Sequence, residues 1–225
     1  MASHSLVYGF DNYTQTGIFT TTKINNHWTL QIGLSNGTDV ALWQKDPGNQ
    51  PIGTVMIQWI SPIKQIPFMP ATMCLTTASY NNLQQIVGTW THKFNEKIYT
   101  ATEALCMYMN DATTHPTKDV PFQSGSFPVK PGYASEWGIL NYTMFRIAPS
   151  AFLTFRNEFY NDLVGSRTGH ATKYSDHSLG VTWWSNKIIT LRPELRFDHS
   201  YDTAAFDNGV RRNQLVGSMD VIIHY

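Results

Sequence analysis

The stretch IITLRPELRFDHS, residues 188–200, sorts its side chains by strict alternation. Ile189, Leu191, Pro193, Leu195 and Phe197 fall on one side, and Thr190, Arg192, Glu194, Arg196 and Asp198 on the other. Successive side chains of an extended strand point to opposite faces. The segment therefore has one wholly apolar face and one face with adjacent charges. The charged face needs water or opposite charges, and the apolar face needs hydrocarbon or a protein core. Pro193 adds a second constraint, because proline brings no N–H to a ladder and belongs at strand edges or bulges. A bulge or a locally broken ladder bond is expected there.

The alternation recurs along the chain, with no sustained helical period. In WTLQIGLS, Trp28, Leu30, Ile32 and Leu34 oppose Thr29, Gln31, Gly33 and Ser35. In TVMIQWI, Val55, Ile57 and Trp59 oppose Thr54, Met56 and Gln58. In AFLTFRNEFYND, Leu153, Phe155 and Phe159 oppose Thr154, Arg156, Glu158 and Asp162. In QLVGSMDVIIHY, Leu215, Met219, Val221, Ile223 and Tyr225 oppose Gln214, Ser218, Asp220 and His224.

Length decides between a core and a bilayer. Several of these segments run to about 10–13 residues, above the ~5–6 usual in soluble sheets. Tight turns at Asn25–His27, Asn95–Lys97, Pro149–Ser150 and Asn186–Lys187 alternate with long polar connections near 36–50, 110–132, 162–172 and 198–212. Short turns at one rim and long loops at the other, joined by strands of ~9–11 residues, describe a membrane β-barrel. Composition agrees. Charged residues are 14% of the chain, against ~25% in soluble domains. The 16 basic and 16 acidic residues cancel, which removes the basic excess that nucleic acid asks for. Trp28, Trp90, Phe94, Tyr99, Phe145, Phe152, Trp183, Trp184 and Tyr225 flank the tight turns or the chain end, as an aromatic girdle would at the hydrocarbon–headgroup boundary.

The reading is one all-β domain over residues 1–225, an antiparallel up-and-down transmembrane β-barrel of about twelve strands. They are placed near 4–14, 17–25, 27–36, 52–60, 68–79, 83–94, 97–109, 134–147, 151–163, 173–185, 188–199 and 212–225. Tight turns face the periplasm and longer loops the exterior. Lipid faces Ile189, Leu191, Leu195, Phe197, Leu215, Val221 and Ile223. Arg156, Glu158, Asp162, Arg192, Glu194, Arg196 and Asp198 line the lumen, because a midplane Arg or Lys facing lipid costs roughly 2–4 kcal/mol. These charges either bias solute passage or form a salt-bridge network that fills the interior, and both readings are kept.

Other chemistry is less well marked. LVGSRTGHATKYSDHS holds Arg167, His170, Asp176 and His177, but not at a recognised ligand spacing, and no metal or cofactor is expected. No GxSxG elbow or phosphate-binding glycine loop is present, so no catalytic residue is assigned. Cys74 and Cys106 are either one disulfide or two separate thiols. The first residues lack a signal-peptide pattern, so an exported chain would be a mature form or a fragment.

Several stretches resemble the OmpL-like β-barrel porin family. They are NNLQQIVGTWTHKF (residues 81–94), YTATEALCMYM (99–109), EWGILNYTMF (136–145), RNEFYNDLVGSRTG (156–169), RPELRFDHSYD (192–202) and FDNGVRRNQL (206–215). Together they cover roughly the last 145 residues. The fourth stretch keeps Arg156, Glu158, Asp162, Gly165, Arg167, Thr168 and Gly169 of the signature RxExFxDxxGxRTG, with Phe159 next to Glu158. The resemblance implies a bacterial outer-membrane barrel that passes small polar solutes or ions through a charge-lined lumen, without a cofactor. It also implies extra N-terminal strands that this chain lacks. A terminal aromatic such as Tyr225 is similar to the signal read by the outer-membrane assembly machinery. An outer-membrane barrel hydrolase and a structural or adhesive barrel with a plugged lumen are the alternatives.

Overall fold

The computed structural model describes residues 1–7, 15–38, 43, 51–61, 70–79, 83–112 and 132–224. Every named element is a strand: β1 Gln15–Lys23, β2 Trp28–Thr38, β3 Ile52–Ile60, β4 Pro70–Ser79, β5 Leu83–Lys93, β6 Ile98–Ala112, β7 Gly132–Ala148, β8 Ala151–Asp162, β9 Thr172–Trp184, β10 Ile189–Ser200 and β11 Asn213–Ile223. They form one 11-stranded sheet in sequence order, and each neighbouring pair is antiparallel. Each strand thus pairs with its sequence neighbours, the up-and-down order expected.

Eleven of the expected strands are present. The remaining one, at 4–14, differs. Residues 8–14 lie outside the described residues, and residues 4–7 are not in a strand. They lie instead against the inner face of the sheet, where Val7 is buried among Leu105, Leu140, Tyr160 and Tyr174.

Alternation places the two faces as the sequence indicates. Ile32, Leu34, Val55, Ile57, Leu195, Phe197, Leu215, Val221 and Ile223 are all exposed, while Thr54, Arg156, Glu158, Glu194 and Asp198 are buried. A sheet whose large apolar side chains face out and whose charges face in is the reverse of a soluble sandwich, and it matches a lipid-facing wall.

The tight turns share a device. At three of them an asparagine carboxamide oxygen accepts two backbone N–H groups. Asn25 Oδ1 takes His27 N at 2.8 Å and Trp28 N at 3.0 Å. Asn95 Oδ1 takes Lys97 N at 2.8 Å and Ile98 N at 2.9 Å. Asn186 Oδ1 takes Ile188 N and Ile189 N, both at 2.8 Å. This is the Asx turn, in which a short side chain imitates the backbone. Aromatics crowd the same rim: Trp28 lies against Trp59 (6.4 Å between centroids) and Phe152 edge-on to Trp184 (5.9 Å). A second aromatic row, Trp137, Phe159 and Tyr201, stands toward the loop rim at 5.5 and 6.1 Å. On β7, Phe145 and Trp137 are separated by about 27 Å of strand, or roughly 20 Å of height at the usual tilt, close to the ~25 Å apolar band of such barrels. Tyr225 lies outside the described residues.

Pro193 resolves in one of the two expected ways. With β11 the register runs unbroken through Pro193↔Met219. With β9 it passes from Leu191↔Trp183 to Glu194↔Gly180, skipping Arg192 and Pro193. The offset is the same on both sides of the gap, so no residue is inserted: the ladder is interrupted without a bulge. The two cysteines cannot pair. Cys74 stands opposite Val87, and Cys106 opposite Ile86, so β5 runs between them. Two strand spacings of ~4.8 Å exceed the ~7 Å reach of a disulfide, and Cys106 is a free, exposed thiol.

Asn186→Ala removes both acceptor bonds of its turn and is expected to cost about 1–2 kcal/mol, whereas Asn186→Asp keeps an acceptor and stays near wild type. Urea unfolding followed by tryptophan emission checks the pair; equal midpoints for the two variants would show the turn bond to be dispensable.

Candidate functional site

The candidate site is built by strand register. Glu158 on β8 stands opposite Asp176 on β9, which stands opposite Asp198 on β10. One step along the inner face, Arg156 stands opposite Ser178, which stands opposite Arg196. A row of three carboxylates thus lies beside a row carrying two guanidiniums with a serine between them. Like charges directly opposite are destabilising, so the diagonals must compensate. Arg156 donates to Asp176 through Nη2 at 2.8 Å and Nε at 3.3 Å. Arg196 Nε reaches Asp176 Oδ2 at 2.8 Å and Asp198 Oδ1 at 2.7 Å. Ser178 accepts from Arg156 at 3.0 Å and donates to Asp176 at 2.7 Å. Arg156 also lies 3.4 Å from Glu194. Arg156 and Asp176 are both 0% exposed, and charges so buried are tolerable only when paired and hydrogen-bonded.

Glu158 and Glu194 are completed differently. Residues 2–7 cross the inner face, and their amides fill the vacant acceptor positions. Ala2 N and Ser3 N donate to Glu194 Oε2 at 2.6 and 3.0 Å, and the Ser3 hydroxyl donates to Oε1. Leu6 N donates to Glu158 Oε2 at 2.8 Å, and Val7 N to Oε1. In the other direction, Arg156 donates to Ser3 O at 2.9 Å and Arg196 to His4 O at 2.7 Å. Two inner-face glycines leave room for the segment. A Cβ on Gly180 would lie 2.7 Å from Met1 Sδ, and one on Gly138 2.7 Å from Val7 Cγ2. A cavity of about 480 Å³ adjoins the segment, lined by Ser3, His4 and Ser5 on one side and by Glu103, Tyr142, Met144 and Thr182 among others on the wall.

The remaining site residues lie apart from this grid. Arg192 pairs with Asp220 on β11, Nε to Oδ1 at 2.8 Å, and both are about a third exposed, at 31% and 34%. Asp162 ends β8 and serves the following loop. It accepts Ser166 N at 2.9 Å, Arg167 N at 3.0 Å and Thr168 N at 2.8 Å, with the Thr168 hydroxyl at 3.0 Å. Gly165 and Gly169 take positive φ of 74° and 84°, which glycine adopts without the usual steric cost. Glu136 closes the loop from β7 by accepting Ser166 Oγ at 2.8 Å and Arg167 Nε at 3.2 Å. The signature over residues 156–169 is therefore two structures in series, half of the charged grid followed by a clamped loop.

The family model described as "Putative beta-barrel porin-2, OmpL-like" matches residues 1–225. The chain belongs to this family. The match spans the whole chain, wider than the roughly 145 residues that carry the motifs. Among solved structures, the DcaP outer-membrane channel of Acinetobacter baumannii is similar over 99% of this chain and 67% of its own, with a TM-score of 0.61 at 11% identity. The NanC porin is similar over 92% and 91%, with a TM-score of 0.50 at 10% identity. At such identities the likeness is one of fold. No curated protein matches. The chain is thus a porin-like channel of the outer membrane.

Asp176 is a site residue that lies in the expected strand 173–185 but that the sequence reading does not include among the lumen-facing charges. It stands beside His177 in LVGSRTGHATKYSDHS, and alternation sends it to the inner face, while His177 faces out and meets Asn157 Oδ1 at 2.9 Å. Its signal is the register: Arg156 and Arg196 both stand opposite Ser178, so of the two diagonal positions on β9, Asp176 and Gly180, Asp176 is the one that carries a charge. Alternation sets Asp220 on the polar side of its segment, and the structure pairs it with Arg192; Glu136, which the sequence reading leaves without a role, clamps the loop.

Asp176→Asn leaves two guanidiniums short of a buried charge and is expected to cost about 3 kcal/mol or more. Asp198→Asn removes a carboxylate that, among the described residues, Arg196 alone engages, and should cost less. Chemical unfolding in detergent micelles orders the two; a milder effect at Asp176 would mean that Glu194 and Asp198 suffice without it.

Proposed function

We propose that residues 1–225 act as a single barrel domain that lets small polar solutes diffuse passively across the outer membrane, with a preference for cations. Arg156, Glu158, Arg192, Glu194, Arg196 and Asp198 line the pathway, and Asp162 holds the loop at its outer end. The observation that carries this reading is the charge balance of the inner wall. Across β8–β11, Arg156, Arg192 and Arg196 face Glu158, Asp176, Glu194, Asp198 and Asp220, so carboxylates are in excess. The opposite wall offers neutral hydrogen-bonding groups, such as Gln31 donating to Thr21 at 2.9 Å and Thr54 donating to Gln15 at 2.7 Å. Side-chain rings of one sign bias permeation toward the opposite sign. Arg192 and Asp220, the most exposed of the pairs, stand nearest the moving solute.

In this reading the protein is a channel and not an enzyme. Ser166 and Thr168, hydroxyls near the loop rim, are committed to Glu136 and Asp162 and hold the loop rather than a substrate. Strand β11, with Leu215, Met219, Val221 and Ile223 facing out, is where the assembly machinery would engage. One observation favours a second reading: residues 2–7 occupy the inner face, as a barrel with a plugged lumen and a structural role would require.

Planar-bilayer recording separates the two. A channel gives unitary currents with a reversal potential displaced toward potassium in a KCl gradient. Arg192→Glu should raise the potassium-to-chloride permeability ratio about twofold or more, and Arg196→Gln should raise it less. Folded protein that never conducts supports the plugged structural barrel, and conduction with unchanged selectivity removes both arginines from the pathway.

A further inference from the structure

We propose that the inner wall formed by β8, β9 and β10 is a binding subsite for short extended peptides, occupied here by the chain's own residues 2–7. The inference rests on the channel reading and names a solute class for it. The wall recognises backbone from both sides. Carboxylates take the N–H groups of residues 2, 3, 6 and 7, and guanidiniums give to the carbonyls of residues 3 and 4. A peptide repeats this donor–acceptor pair at every residue, whereas a sugar or a simple ion does not. The grid has spare capacity for it. Arg156 and Arg196 engage Asp176 and Asp198 but, among the described residues, leave Glu158 without an arginine ion pair and Glu194 with one contact at 3.4 Å. These two carboxylates are the ones that hold the segment.

Side-chain selectivity is weak at one end and defined at the other. Gly180 and Gly138 keep the wall low beneath the segment, so most of the contacts read main chain rather than sequence. Val7 enters a pocket of Leu105, Leu140, Tyr160 and Tyr174, which favours a branched aliphatic residue at that position. The adjoining cavity of about 480 Å³ provides space into which the segment or an incoming ligand can shift. Because a tethered segment competes at an effective concentration in the millimolar range, a free peptide binds best when the segment's hold is weakened.

The test uses a fluorescently labelled hexapeptide, Ala-Ser-His-Ser-Leu-Val, titrated onto the protein in detergent micelles and read by anisotropy. A variant lacking residues 2–7 should bind it saturably. The full chain should bind about tenfold or more weakly. Glu158→Gln and Glu194→Gln in the shortened protein should each weaken binding about tenfold. A peptide N-methylated at the amides equivalent to Ser3 and Leu6 should fail to bind. If the shortened protein does not fold, the full chain carrying Ser3→Pro, which lacks both the backbone and the hydroxyl donor of Ser3 to Glu194, replaces it and should bind more tightly than wild type. Absence of saturable binding, or equal binding of the N-methylated peptide, overturns the proposal. Bilayer conductance is measured on the same preparations. Peptide binding without conduction would sink the channel reading and leave the subsite standing, and conduction without binding would do the reverse.

Discussion

Asp176 holds the inner wall together. Three carboxylates meet side by side across β8, β9 and β10, and the central one is tolerable because Arg156 and Arg196 both reach it on the diagonal. Take that double contact away and Glu158, Asp176 and Asp198 repel one another inside a region shielded from bulk water, where a charge left unpaired is costly. The arginines are fixed in turn. Held by Asp176, they direct their remaining N–H groups at Ser3 and His4, and the segment can then bring its amides to Glu158 and Glu194. The order of dependence runs from strand register to the grid, and from the grid to whatever lies in the lumen.

The faces of the sheet were legible because alternation is a local property. Leu195 and Phe197 face out, and Glu194 and Asp198 face in, whatever the neighbouring strands do. The tight turns were legible for the same reason: Asn25, Asn95 and Asn186 bond to residues two and three positions on. What needed the partner strand was not legible. Asp176 sits in a polar run that reads equally as loop or strand, and its importance depends on Arg156 and Arg196, residues 20 positions away in either direction. The N-terminal segment misled in a more instructive way. Extended backbone that bonds to carboxylates and extended backbone that bonds to another strand have the same local pattern, so HSLV, residues 4–7, reads as the start of a strand. At Pro193 the missing donor was foreseen, but its form was not, because the choice between a bulge and a skipped bond belongs to β9.

The two walls of the sheet divide their work. On β1, β2, β3 and β5 the inner face includes Thr21, Gln31, Thr54 and Gln85, residues that hydrogen-bond without carrying charge. From β7 to β10 it is built of pairs that hold charge in place. In the proposed pathway, a solute between them would meet a fixed electrostatic pattern on one side and an adaptable hydrogen-bonding surface on the other. The loop over residues 163–171, pinned by Asp162 and Glu136, sits at the outer end of the charged wall and so carries that wall's order to the entrance.

The asparagine turns have a consequence for how such a sheet is made. A slip of one residue in any hairpin would exchange its two faces, turning Arg156 or Arg196 toward hydrocarbon and leucines toward water. The completed wall would reject such an error, but only after many strands had joined. The Asx turns act earlier. Each fixes the stagger of its own two strands with bonds that need no third strand, so alignment is checked hairpin by hairpin as the chain lengthens. The least conspicuous side chains at the rim thus serve as the proofreading step for the most highly charged ones in the interior.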